Sequence, residues 1–175
     1  MTTDSAPINL THHFLIAMPG LMDESFARSV VYMCEHSERG ALGLIINKPS
    51  PMSMQALFEK VELNLGRTDL IEIPVLQGGP VHTERGFVLH EPMLETDSED
   101  SESAPADPAA SDKGSAAKSN SIYASTLSVP GGLAMTTSKD VLEAMANGSG
   151  PKRVLVTLGY ASWGEGQLES EIGEN

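Results

Sequence analysis

Short apolar runs, each closed by proline, glycine or asparagine, recur along most of this chain and restrict its fold more than any other feature. The run at 12–18 stops at Pro19-Gly20, and the run at 41–46 stops at Asn47-Lys48-Pro49. The run at 71–76 leads into Gly78-Gly79-Pro80, and Pro130-Gly131 separates 122–129 from 132–136. Further runs lie at 29–35, 86–90 and 153–158. Segments of this length, bounded by turn residues, read as strands. The 29–46 unit, with a turn across His36–Gly40, reads as a hairpin.

Three segments break this rhythm with helical spacing. Ser53 is placed to cap a helix in which Met54, Leu57, Phe58 and Val61 fall on one face. Thr137 with Asp140 three residues later resembles a capping box, followed by Val141, Leu142 and Met145, with Gly148 at the end. Ser162 and Glu165 form a similar signature ahead of Leu168 and Ile172. The sum is about seven short strands and three helices. Hairpins outnumber strand–helix–strand repeats. The expectation is an α+β protein with a mainly antiparallel, barrel-like sheet flanked by about three helices.

The chain of 175 residues fits one domain spanning 1–175. Residues 96–120 contain no Val, Ile, Leu, Met, Phe, Tyr or Trp, so ordering them is not offset by burial, and a disordered acidic loop is expected there. Its six acids and two lysines carry −4 of the net charge of −13; the rest of the chain, with 18 acids and 9 bases, carries −9. An acidic body without a helix-turn-helix pattern makes direct nucleic-acid binding a poor expectation. The single cysteine, Cys34, cannot form an internal disulfide. There is no run of 18 apolar residues and no basic, apolar leader in the first ten, so no membrane association is expected and the cytoplasm is the expected location.

The phosphate-cradling, metalloprotease and nucleophile-elbow motifs are missing from the chain. Cys34 and His36, two apart on a strand, are expected to face the same side, but two ligands do not make a metal site, and neither metal nor cofactor is expected. Asp23, Glu24 and Glu35 supply carboxylates in a chain where carboxylates are common. The five residues Gln77–Val81 contain two glycines before a proline, a turn whose amides can approach an anion, with Arg85 close in sequence. Residues 159–167 read as the end of a buried strand opening into a helix whose N-terminus favours anions, with Tyr160 and Trp163 as wall residues. The early methionines Met18, Met22, Met33, Met52 and Met54 read mainly as core filling.

Several runs together carry a family resemblance. They are Phe14-Leu15-Ile16-Ala17-Met18-Pro19, the seven residues 26–32, Glu35-His36 and the ten residues 40–49. Gly78-Gly79-Pro80-Val81, Gly159-Tyr160-Ala161 and Trp163-Gly164 with Gly166-Gln167-Leu168-Glu169 complete the set. In this order they resemble the YqgE/AlgH family of bacterial proteins. The resemblance implies an α+β protein with a barrel-like sheet. Some members of that family carry a transcriptional-regulator label through an association with alginate production; with no helix-turn-helix pattern and an acidic charge, such a role in this chain is expected to be indirect, through a protein or ligand. The pattern differs at Ser162, where a small residue, often glycine, is usual, and at 96–120, where relatives are often shorter. Family chains also tend to continue a few residues past the position of Asn175 with another hydrophobic anchor.

The leading expectation is a non-catalytic binding or regulatory protein. Its patch would comprise Asn47, Lys48, Pro49, Gly78, Gly79, Pro80, Arg85, Tyr160 and Trp163, facing a protein partner or a small anionic ligand. The alternatives are an enzyme acting on a small anionic substrate, with Asp23, His36 or Arg85 converging on the Gly79 turn, and a structural homo-oligomer.

Overall fold

The computed structural model describes residues 8–92 and 123–174; the expected acidic loop at 96–120 lies outside the described residues. Strands β1 (Phe14–Ile16), β2 (Val30–Ser37) and β3 (Gly40–Ile45) form an antiparallel meander, with Glu38 and Arg39 alone making the turn between β2 and β3. The break expected at Asn47–Pro49 is instead the entry to a strand the sequence reading lacks, β4 (Pro49–Ser53). Helix α1 (Met54–Lys60) starts as expected, with Ser53 Oγ accepting a hydrogen bond from the Ala56 amide at 3.2 Å.

A short 3-10 turn at Thr68–Leu70 precedes β5 (Pro74–Gln77). The long β6 (Val81–His90) then begins five residues earlier than the expected 86–90. After the undescribed segment come β7 (Thr126–Val129), β8 (Leu133–Thr136), α2 (Lys139–Ala146), β9 (Val154–Gly164) and α3 (Gln167–Gly173). The sheet runs β1-β2-β3-β9-β6-β8-β7, with every pairing on that path antiparallel. The parallel pairing is β5 on β9, and β4 lies outside β5. This is an α+β fold whose sheet curls into a half barrel. Bulges in β2 between Met33 and Glu35, and in β6 between Val81 and Gly86, add local twist to that curl.

The structure corrects three expectations. The cap of α2 is Ser138 rather than Thr137, and Asp140 does not close a box. Its carboxylate accepts from the Ala124 and Val141 amides and from the Ser138 hydroxyl, tying the start of α2 to the chain before β7. Residues 161–164 are strand, not the mouth of a helix. Their backbone is claimed by β3 through Ala41↔Trp163 and Leu42↔Ser162, and pairing overrides the Ser162–Glu165 signature. Helix α3 starts at Gln167, after Gly166 at φ +69°, with no side-chain cap. Lastly, the β2 bulge defeats the alternation that would align Cys34 with His36. Cys34 packs with Tyr32, Leu44 and Phe87, whereas His36 turns to α3.

Three apolar clusters hold the molecule together. Helices α1 and α2 cover the first, in which Phe58, Met54, Val141 and Met145 meet Val75, Val88 and Val156. The second, of Tyr32, Cys34, Leu44, Phe87, Val129 and Met135, joins β2, β3, β6, β7 and β8. The third places Val31, Met33, Ile45, Ala161 and Trp163 under Leu168 of α3. Strand β9 serves both helical clusters. Across Gly159, at φ +75°, its contribution changes from Val154, Val156 and Leu158 to Ala161 and Trp163.

Candidate functional site

Two of the expected patch residues turn out to be structural staples. Asn47 Oδ1 accepts from the Val30 amide and its Nδ2 donates to the Arg28 carbonyl, both at 2.9 Å. Lys48 Nζ donates to the Ser25 carbonyl at 2.6 Å and to that of Glu24 at 3.3 Å. Both side chains hold the loop between β1 and β2 against the start of β4. The ammonium of Lys48 is thus engaged by two carbonyls beside an acid, a poor arrangement for an anion.

The Gly78-Gly79 turn has an internal explanation as well. A Cβ on Gly78 would lie 2.3 Å from the Gly159 carbonyl oxygen, and one on Gly79, at φ +156°, would lie 2.1 Å from the Tyr160 carbonyl carbon. What this turn approaches so closely is the backbone of β9. Pro80, at its exposed end, lines two cavities. One, of about 160 Å³, includes Lys48, Gly79, Glu24 and Thr83. The other, of about 400 Å³, includes Trp163, Asp23, Phe26 and Glu171.

Of the remaining patch residues, Trp163 joins Pro80, but Tyr160 and Arg85 do not. Tyr160 stacks on His82 and meets Phe87 edge-on, in a different cluster from Trp163. Arg85 sits in the β6 bulge and lines neither Pro80 cavity. His36 lies in a separate cavity of about 480 Å³ with Ser37, Arg39 and Glu169. Its Nδ1 accepts from the Leu10 amide, so Nε2 carries the proton and donates to Glu169 Oε1 at 2.8 Å. The ring thereby pins both the N-terminal segment and α3 to β2. Glu169 is held below the ordinary carboxylate range by its backbone hydrogen bond and by His36. The residues expected to converge as an enzyme centre are therefore distributed among separate places.

Reactive groups elsewhere are quiet. Burial, and then the nearby Glu35 carboxylate, pushes the Cys34 thiol up to about 12, so it stays protonated and shielded. Among the described residues, no three His, Cys, Asp or Glu side chains gather as metal ligands would.

The structure instead draws attention to a groove beside Trp163. It measures about 380 Å³ and is lined by the consecutive residues Phe14–Met18, by Leu21, Phe26 and Val31, and by Trp163, Leu168 and Ile172. Trp163 is only 8 % exposed, packs against Phe26, and donates from Nε1 to Glu171 Oε2 at 3.0 Å. The outer wall is different: Phe14 is 58 % exposed and Ile16 74 %, with Met18 and Ile172 exposed beside them. Phe14 lies opposite Tyr32 and their rings meet at 5.5 Å, on the other face of β1 from Leu15, which packs with Val31 and Trp163; Phe14 and Ile16 thus border the groove at the sheet edge, with Met18 and Ile172 exposed beside it. The sequence reading singles out Trp163 and Pro80 but misses this wall. The one available signal is that positions 14–18 are apolar in succession, as a strand needs only when both faces find cover.

With this geometry in view, comparison with known proteins is specific. A model of the AlgH-like family matches residues 14–175. The UPF0301 protein of Paracidovorax citrulli (strain AAC00-1) is 67 % identical over 175 residues, covering all of this chain and 80 % of the relative. That of Delftia acidovorans (strain DSM 14801 / SPH-1) is 63 % identical over the same span, covering 79 % of the relative. The solution structure of the AlgH protein from Pseudomonas aeruginosa is similar at a TM-score of 0.68 and 41 % identity, over 98 % of this chain and 76 % of that one. A crystal structure from Corynebacterium diphtheriae shares the fold at a TM-score of 0.59 and 20 % identity, over 91 % and 69 % of the two chains. The family match over residues 14–175, added to relatives at 63–67 % identity and a solved relative at 41 %, places this chain in the AlgH-like family.

Proposed function

We propose that this chain is a non-catalytic binding module that works through a protein partner docked at the Trp163 groove. The observation that carries the reading is the concave apolar groove of Leu15, Phe26, Val31, Trp163 and Leu168, with Phe14, Ile16 and Met18 exposed among the described residues along its rim. Its regulatory role, in this reading, is indirect and cytoplasmic. Two features support the indirect route. The net charge of −13 opposes contact with phosphates. In addition, among the described residues no two α-helices are consecutive elements, so none there forms a helix-turn-helix pair. No helix among the described residues is long and apolar enough to cross a membrane.

The test is native mass spectrometry of the untagged protein purified from its own cells, beside Phe14→Lys and Ile16→Lys variants. A protein that co-purifies with the parent and is lost from both variants supports the reading. A partner retained equally by all three would sink it, as would turnover of small anionic substrates by the purified chain.

A further inference from the structure

We infer that His36 is a proton-operated clasp: when its ring takes up a proton, the chain lets go of the N-terminal segment at Leu10 and holds α3 more firmly through Glu169. Leu10 also lines the groove beside Trp163. The proton therefore regulates one wall of the site that the binding-module reading assigns, and only that consequence rests on the reading.

The first support is the direction of the hydrogen bonds. A backbone amide only donates, so the 2.9 Å contact from the Leu10 amide requires a bare lone pair on His36 Nδ1. Nε2 donates to Glu169 Oε1 at 2.8 Å, and the ring is therefore neutral. Imidazolium carries a proton on both nitrogens. On Nδ1 that proton points at the Leu10 N–H, and turning the ring over offers only another donor. The His36 side chain is 2 % exposed, so Leu10 has to move outward before both donors find acceptors. The Glu169 contact changes the other way, from a hydrogen bond to an ion pair. Contacts beyond Leu10 do not use the ring. The His36 amide donates to Thr11 Oγ1, the His12 amide to the Met33 carbonyl, and the Met33 amide to the His13 carbonyl. These hold residues 11–13 against β2, so the release stops at Thr11.

The second support is the charge around the ring. Glu169 is held below the ordinary carboxylate range by its backbone hydrogen bond and by His36, so it stays ionised while a histidine titrates. The other charged residues lining the His36 cavity are Glu38 and Arg39, exposed and of opposite sign in the β2–β3 turn. Glu35, the neighbour on β2, is exposed as well. Residues 8–11 carry no charge. After them, His12 and His13 bond to the Tyr32 hydroxyl and the Thr11 carbonyl rather than to His36. Among the described residues, Glu169 is thus the carboxylate bonded to the ring, and it favours the charged form.

The test follows the full chain by NMR from about pH 8 to about pH 5. Ring nitrogen shifts report the charge on His36. Amide exchange, corrected for its intrinsic pH dependence, reports each contact. The expected result is a loss of protection at Leu10 of at least about tenfold, in step with the ring, while the Met33 and Ser170 amides keep theirs. Trp163 is the sole tryptophan, so its fluorescence reports the groove, and its emission should shift over the same range. In His36→Gln, which gains no charge, the pH step at Leu10 should vanish, and this separates His36 from His12 and His13. Glu169→Gln, at a half-exposed carboxylate, should keep the fold and move the step to lower pH. If His36→Gln does not fold, the parent and Glu169→Gln still decide. Constant protection at Leu10 while the ring titrates would overturn the clasp, as would a ring that stays neutral throughout. Joint loss at Leu10, Met33 and Ser170 would make the event global acid unfolding and overturn it too. An unmoved step in Glu169→Gln would overturn the hold on α3, and an unchanged Trp163 emission would overturn the link to the groove. No partner enters this test, so its failure leaves the binding-module reading standing, and that reading fails on its own co-purification experiment.

Discussion

The two halves of β9 differ in what covers them. From Val154 to Leu158 it is flanked by β5 and β6 and packed beneath α1 and α2. From Ala161 to Gly164 it pairs with β3 and is covered by the short α3, beside a groove whose outer wall is exposed. The first half is sealed by two helices, and the second by one helix of seven residues. Both halves of β9 bury their apolar side chains, and the difference lies in their neighbours: beside the second half, Phe14, Ile16, Met18 and Ile172 are exposed among the described residues.

Changes on the sealed side should act on stability alone. Phe58 is fully buried among Met54, Val75, Val88 and Val141. Phe58→Ala should remove about 3–5 kcal/mol in chemical denaturation, with no change in Trp163-reported binding by the molecules still folded. A loss of binding by the folded fraction would couple the two halves and break the comparison. Gly79 sits where they join, against Tyr160 of β9. Gly79→Ala places a Cβ inside the β9 backbone at a positive φ, so it should destabilise by about 2 kcal/mol or more and disturb both halves together. A near-neutral melting curve for this variant would show that the turn is not the join.

Asp140 sharpens the sealed half further. Burial works to raise its pKa, but hydrogen bonds from Ser138, Ala124 and Val141 outweigh it and leave the group below its ordinary value of 3.8. The sign follows: its contribution is present above the ordinary aspartate range and is lost as pH falls through the depressed native value. Asp140→Ala should destabilise the start of α2 by about 1 kcal/mol at neutral pH, and the gap from the parent should close in acid. A gap independent of pH would assign the effect to packing. The smallest stability change belongs to the open half. Ile16→Lys should stay within about 0.5 kcal/mol of the parent in denaturation while binding at the groove drops. A marked loss of stability there would show that the exposed wall is core after all.

Much of this architecture is legible in the residues. The hairpin of β2 and β3, the Ser53 cap and the Gly148 stop all follow from local chemistry: turn residues, an oxygen placed to cap an amide, and a glycine that tolerates positive φ. The candidate site is less legible. Trp163 and Pro80 share a cavity, but Tyr160 lies with Phe87, Arg85 lies in the β6 bulge, and Asn47 and Lys48 hold a loop. The failure has one cause. Spacing along the chain tells faces apart only while the strand is regular, and a bulge in β2 and a left-handed residue in β9 both reset the alternation.

The sequence by itself determined the strand-rich character, the start of α1, the acidic charge and the family, because these rest on residue type and short-range spacing. Only the tertiary structure decided that residues 161–164 extend β9 and that Phe14, Ile16 and Met18 are exposed among the described residues. Which backbone pairs with β3, and which apolar face finds a neighbour, are settled by contacts between residues far apart in the chain, where local preference has no say.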